Sequence, residues 1–67
     1  MSSVARVTEI IASSDESFDA AIKSGLKRAN RTLKNVASAW IASQDIELKN
    51  GKVVSYRVRM KVTFVLA

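Results

Sequence analysis

Cysteine and histidine are both missing from this chain. The first absence excludes disulfides. The two together remove the ligands that Zn²⁺ prefers, which argues against a structural zinc site. They also remove most nucleophilic and proton-shuttling chemistry, because no Ser-His or Cys-His pair can be built. Acids are scarce: six Asp and Glu stand against eleven Lys and Arg, for a net charge of +5. Asp15, Glu16 and Asp19 cluster where a helix begins, a place the helix dipole already favours. Glu9, Asp45 and Glu47 lie along strands with no spacing that demands acid–base catalysis. An enzyme is not expected. Long apolar runs are missing too, so nothing approaches a bilayer span. No basic region followed by an apolar stretch marks a signal peptide. The expectation is a soluble, cytoplasmic protein with no membrane partner.

At 67 residues the chain makes one domain, 1–67, near the size at which a single core barely sustains a fold. Small scaffolds need a staple. With disulfides and zinc set aside, oligomerisation is the staple left. The excess of cations points to acidic partners such as nucleic acid, phosphorylated small molecules or anionic lipids.

Val4 to Ala12 is rich in Val, Ile and Thr and predicts a first strand. Ser13 with Glu16 three residues later matches a capping box. Phe18, Ala21, Ile22, Gly25, Leu26, Ala29 and Leu33 then recur at steps of three and four, one apolar helical stripe. Lys23, Lys27, Arg31 and Lys34 occupy the opposite side and read as a solvated face. Gly25 on the apolar stripe predicts a strand crossing close by. Asn35 is expected to end the helix. Strands two and three are expected from about Ser38 to Leu48 and from about Lys52 to Leu66.

Asn50-Gly51 between the last two strands is a strong type I′ turn signal. A two-residue turn pairs Lys49 with Lys52 and, counted without interruption, Trp40 with Lys61, Ala42 with Arg59 and Gln44 with Arg57. Strand side chains alternate between faces. Trp40, Gln44, Arg57, Arg59 and Lys61 then share one face, and Ile41, Val58, Met60, Val62 and Phe64 form the core face. Trp40, Ile46 and Leu48 on the second face cannot be covered by the same helix, which again argues for assembly. An indole set among cations and an amide suggests a ligand platform or half of a subunit interface. As a single-strand nucleic-acid platform the face is disfavoured, because such platforms offer several stacking aromatics.

Several segments in order and spacing carry a resemblance: Ala12-Ser13-Ser14, Ser17-Phe18, Ala20-Ala21, Arg28-Ala29, Thr32-Leu33, Tyr56-Arg57-Val58 and Lys61-Val62-Thr63-Phe64. Over nearly its whole length the chain resembles the dodecins. The resemblance implies an α+β fold, β-α-β-β, with a three-stranded antiparallel sheet packed on one helix. It also implies pairing of strand one with strand three, and assembly as a hollow dodecamer. Flavin-binding dodecins stack the isoalloxazine ring on a tryptophan near the start of strand two, a position held here by Ser38. They hydrogen-bond it from a glutamine whose position is held here by Arg57. Trp40 lies two residues beyond Ser38, on the same face and displaced by about 7 Å. Gln44-Asp45 and Tyr56-Arg57 resemble the branch of the family without the usual tryptophan, for which calcium has been a proposed ligand.

The function expected is binding and storage: a homo-oligomer sequestering flavin, riboflavin or FMN, or a related phosphorylated cofactor such as coenzyme A, between subunits. The residues expected to hold it are Trp40, Arg57, Gln44, Ser38, Lys61 and Arg59. The alternative is a flavin-free structural dodecamer that binds ions such as calcium at its symmetry axes.

Overall fold

A computed structural model describes residues 2–66. The elements run β1 (Ala5–Ser14), α1 (Phe18–Thr32), β2 (Val36–Lys49) and β3 (Lys52–Val65). The strands form one antiparallel sheet in the order β1-β3-β2, with α1 on one face. The β-α-β-β fold and the central place of the third strand are therefore as the resemblance implied.

The helix begins later than the capping-box reading has it. β1 continues through Ser13 and Ser14, paired with Arg57 and Tyr56, so Ser13 is spent in the sheet. The Ser14 hydroxyl accepts from the Glu16 N–H at 3.0 Å and turns the chain. Ser17 is the N-cap, its Oγ accepting from Ala20 N–H at 3.0 Å. Local signals at Ser13 and Ser17 are nearly equal, and strand pairing decides between them. At the other end the last helical residue is Thr32 and the cap is Leu33, whose N–H donates to Ala29 O at 2.9 Å. Asn35, expected to end the helix, instead turns the chain into β2. Its φ of 61° lies in the left-handed region that asparagine tolerates. Its carbonyl accepts from Val65 N–H, and its side chain donates back to Val65 O.

Asn50 and Gly51 both have positive φ, 54° and 78°, as a type I′ turn requires. Lys49 opposes Lys52 and Trp40 opposes Lys61 as the sequence count has it. Between them the count fails. Val54 is an extra residue on β3 and Ala42 an extra residue on β2, so the pairing is offset by one from Ser43 to Glu47. Arg59 therefore opposes Ser43, not Ala42, and Arg57 opposes Asp45, not Gln44. A third irregularity, at Ala37, separates the Val36–Phe64 and Ser38–Thr63 pairs. Bulges of this kind carry no reliable sequence signature and bend the strand that holds them.

Directly opposed residues share a face. The helix side carries Ile10 and Ala12 from β1, and Tyr56, Val58, Met60 and Val62 from β3. Val58, Met60 and Val62 are fully buried with Ala21. Phe18 meets Tyr56 edge-on, with ring centroids 5.2 Å apart. The close crossing expected at Gly25 is present, because a Cβ there would lie 2.5 Å from Met60 Cε and 2.9 Å from Ala12 Cβ. The helix covers β2 least, and Ile41, although on the core side, is exposed. Beyond the Ser14–Tyr56 pair the hairpin is two-stranded and runs past the helix. Ile46, Leu48, Val53 and Val54 on that arm are all exposed, and the molecule is 54 Å long but only 20 by 14 Å across.

Candidate functional site

The sheet face away from the helix gathers most of the residues singled out from sequence. Central strand β3 contributes Arg57, Arg59, Lys61 and Thr63. Edge strand β2 contributes Ser38 opposite Thr63, Trp40 opposite Lys61, Ser43 opposite Arg59 and Asp45 opposite Arg57. Edge strand β1 adds Val7, Glu9 opposite Lys61, and Ile11 opposite Arg59. Trp40 is 49% exposed, Val7 51% and Ile11 56%. Three large apolar side chains thus flank a row of cations on an uncovered face.

Lys61 Nζ lies 5.8 Å from the centroid of the Trp40 indole. A cation at that distance contributes about 0.5–1 kcal/mol where solvent reaches it. The indole beneath it remains half-exposed. Ser38 is two residues away on the same strand and the same side. Trp40, Ser38, Lys61 and Arg59 are therefore brought together.

Gln44 and Arg57 depart from the expectation. The bulge at Ala42 places Gln44 opposite Val58, on the helix side of the sheet, and so removes it from Trp40's face. Ile46 moves in the same way, opposite Tyr56. Arg57 stays on the outer face, but its guanidinium is taken. Nε donates to Asp45 Oδ1 at 3.1 Å, Nη2 donates to Oδ2 at 2.5 Å, and Nη1 sits 3.7 Å from Glu47 Oε1. The hydrogen bonds from Arg57 hold the Asp45 carboxyl below its ordinary value, and the same contact raises Arg57. Both partners are well exposed, so the fork sets geometry more than it adds stability. Asp45 and Glu47, given no catalytic role from sequence, are the holders of Arg57. The signal that could have found them is an acid at every second residue across from an arginine, visible only once the bulge is allowed for.

Arg59, between Ser43 and Ile11, is the one cation of this face's β3 row with neither a carboxylate nor an aromatic partner among the described residues. Among those residues no three Asp or Glu converge as a metal cluster would require. Two concavities lie on the helix side. A groove of about 580 Å³ runs between β1 and α1, and one of about 290 Å³ between α1 and β2 has Ser38 on its rim. Neither includes Trp40, Arg59 or Lys61. Among the described residues no helix is long and apolar enough to cross a membrane.

The family model for dodecin matches residues 4–67. The chain belongs to the dodecin family. Its structure superimposes on the dodecin of Streptomyces davaonensis with a TM-score of 0.94 at 34% identity, covering 100% of this chain and 98% of that one. It matches the tt0972 protein of Thermus thermophilus with a TM-score of 0.92 at 27% identity, covering 98% and 97%. It also matches the calcium-chelating immunodominant antigen of Mycobacterium tuberculosis, a calcium dodecin, with a TM-score of 0.83 at 28% identity, covering 96% and 91%. Among curated proteins none matches. Dodecins are small homo-oligomeric binding proteins, not enzymes, and this dodecin presents an open, aromatic and cationic sheet face.

Proposed function

We propose that this dodecin is a binding and storage protein, a shell of twelve copies that sequesters flavin, riboflavin or FMN, between subunits. The observation that carries the reading is Trp40: a half-exposed indole on a flat, uncovered sheet face, with the Lys61 ammonium over its ring. A flat platform of this kind does not bury a ring by itself, so a second copy must supply the other wall. The exposed hairpin arm and the small core of Ala21, Ala29, Val58, Met60 and Val62 support assembly on independent grounds. The mechanism is stacking on Trp40 with polar contacts from Ser38 and the unpaired Arg59, and no turnover. Arg57 orders the hairpin and is not a ligand donor. With Arg59 and Lys61 as the available cations, a phosphorylated flavin is favoured over an uncharged one, and coenzyme A is the related phosphorylated cofactor.

The test is a titration of riboflavin, FMN and FAD with the assembled protein, following flavin fluorescence. Saturable quenching that Trp40→Ala abolishes supports the reading, with FMN bound more tightly than riboflavin and that preference lost in Arg59→Ala. No quenching at tens of micromolar protein would end it. The second reading is a flavin-free shell that binds calcium, favoured by the likeness to the calcium dodecin. Calcium-dependent stabilisation in a protein that leaves flavin fluorescence unchanged would select it.

A further inference from the structure

The net charge of this chain is concentrated. From Ala20 to Gln44 there is no acid, and there are five cations: Lys23, Lys27, Arg28, Arg31 and Lys34. Outside that stretch six cations face six acids, so the entire excess of +5 sits on α1 and its exit. All five are exposed. The ion pairs among the described residues both belong to Arg57, and none of the five has a carboxylate partner. Lys23, Lys27 and Arg31 follow one another at i, i+4, an arrangement of like charges that destabilises a helix. The dipole offsets this for Arg31, in the last turn, but not for Lys23 or Lys27 at mid-helix.

A second row, Ser24, Arg28 and Thr32, runs alongside on the rim of the groove beside β1. The two adjacent rows are made entirely of hydrogen-bond donors and cations. Apart from the half-buried Ala20, the helix's apolar residues are turned to the sheet: Phe18, Ile22 and Leu26 pack on the core, and Ala21, Gly25 and Ala29 are buried.

We propose that the outward face of α1 docks the phosphate backbone of nucleic acid. Lys23 to Arg31 spans about 12 Å of helix, more than one small anion can bridge, whereas duplex DNA carries a charge about every 1.7 Å of axis. Helices that lie in a membrane surface carry an apolar face directed at the lipid, and here that face is occupied by the sheet. Hydroxyls and guanidinium groups beside lysines are the donors that phosphate oxygens receive in protein–DNA contacts, which position without reading sequence. The site is separate from the Trp40 face and on the opposite side of the sheet.

The experiment is fluorescence anisotropy with a labelled 20-base-pair duplex and the assembled protein between 50 and 200 mM NaCl, with assembly confirmed by light scattering. Each neutralised phosphate adds about −0.9 to the slope of log K against log salt. Lys27→Gln with Arg31→Gln is expected to weaken binding at least tenfold at 50 mM NaCl and to flatten the slope by about two. Lys23→Gln alone flattens it by about one. Lys49→Gln with Lys52→Gln, at the hairpin turn, leaves affinity and slope within twofold. Absence of duplex binding at 50 mM NaCl overturns the proposal. So does equal loss in the helix and turn variants, which would show diffuse attraction only. Binding to phosphatidylserine-containing vesicles without binding to the duplex overturns it as well.

Discussion

Gly25→Ala separates packing from propensity at the centre of this fold. In an isolated helix the change is favourable by about 0.5–1 kcal/mol. Here the new Cβ would stand 2.5 Å from Met60 Cε and 2.9 Å from Ala12 Cβ, where carbon atoms settle at about 3.5–4.0 Å. Met60 is fully buried, but its flexible end borders the groove between α1 and β2 and can yield by repacking there. Ala12 has no side-chain torsion that could move its Cβ, so α1 must lift from β1 by a few tenths of an ångström or more. Overpacking of this kind costs about 1–3 kcal/mol. Subtracting the propensity gain leaves a net loss of about 1 kcal/mol, or a fall in Tm of about 4–8 °C for a domain of this size. Urea unfolding at one fixed protomer concentration measures it, since assembly makes stability concentration-dependent. Met60→Val removes the atom in the way, and the double variant is expected to be more stable than the two single losses predict, by about 0.5 kcal/mol or more. Gly25→Ala as stable as the parent chain, or strict additivity with Met60→Val, would refute the reasoning.

Two other substitutions test local assignments. Ser17→Ala is expected to lower stability by about 1 kcal/mol through loss of the N-cap, while Ser13→Ala stays within about 0.5 kcal/mol; urea midpoints reversed in order would restore the capping box at Ser13. Asp45 carries the pH dependence of the hairpin. Its folded pKa is depressed by the Arg57 hydrogen bonds, so its contribution is present above the unfolded carboxyl value near 3.9 and is lost as pH falls through the folded one. Asp45→Asn should be less stable than the parent at pH 7, with the gap closing below about pH 4. A gap that stays constant from pH 7 to pH 3 would mean that the ionised state of Asp45 contributes nothing.

The parts of the fold legible in the residues were those written in short periods. The 3.6-residue stripe from Phe18 to Ala29, the alternation along β3 and the Asn50-Gly51 turn each have a local cause that tertiary packing did not overrule. Gly25 announced its close crossing because a mid-helix glycine on an apolar stripe has a cost that only contact can offset. Element ends were less legible. Ser13 and Ser17 compete on nearly equal local terms, and a long-range pair, Ser14 with Tyr56, settles the choice. The middle of the hairpin was illegible for a different reason. One bulged residue changes the face of everything after it, and neither Ala42 nor Val54 looks different from an ordinary strand residue. The cost of that blindness fell on the candidate site, where Gln44 left and Asp45 entered.

Val54 and Ala42 act on the hairpin as two opposite shifts of phase. Each lies on a different strand, so the second cancels the first, and the Lys49–Lys52 and Trp40–Lys61 pairs stand where an unbroken ladder would put them. The section between is a cassette whose alignment is independent of both ends. Within it Asp45 and Glu47 face Arg57, while the turn and the indole keep the register of an unbroken ladder. The loss of Ala42 alone would leave everything from Trp40 toward the N-terminus of β2 one residue out of step with β3. If copies fit together along this face as proposed, the two bulges let one stretch of the surface keep its own alignment while the pairs on either side stay in register.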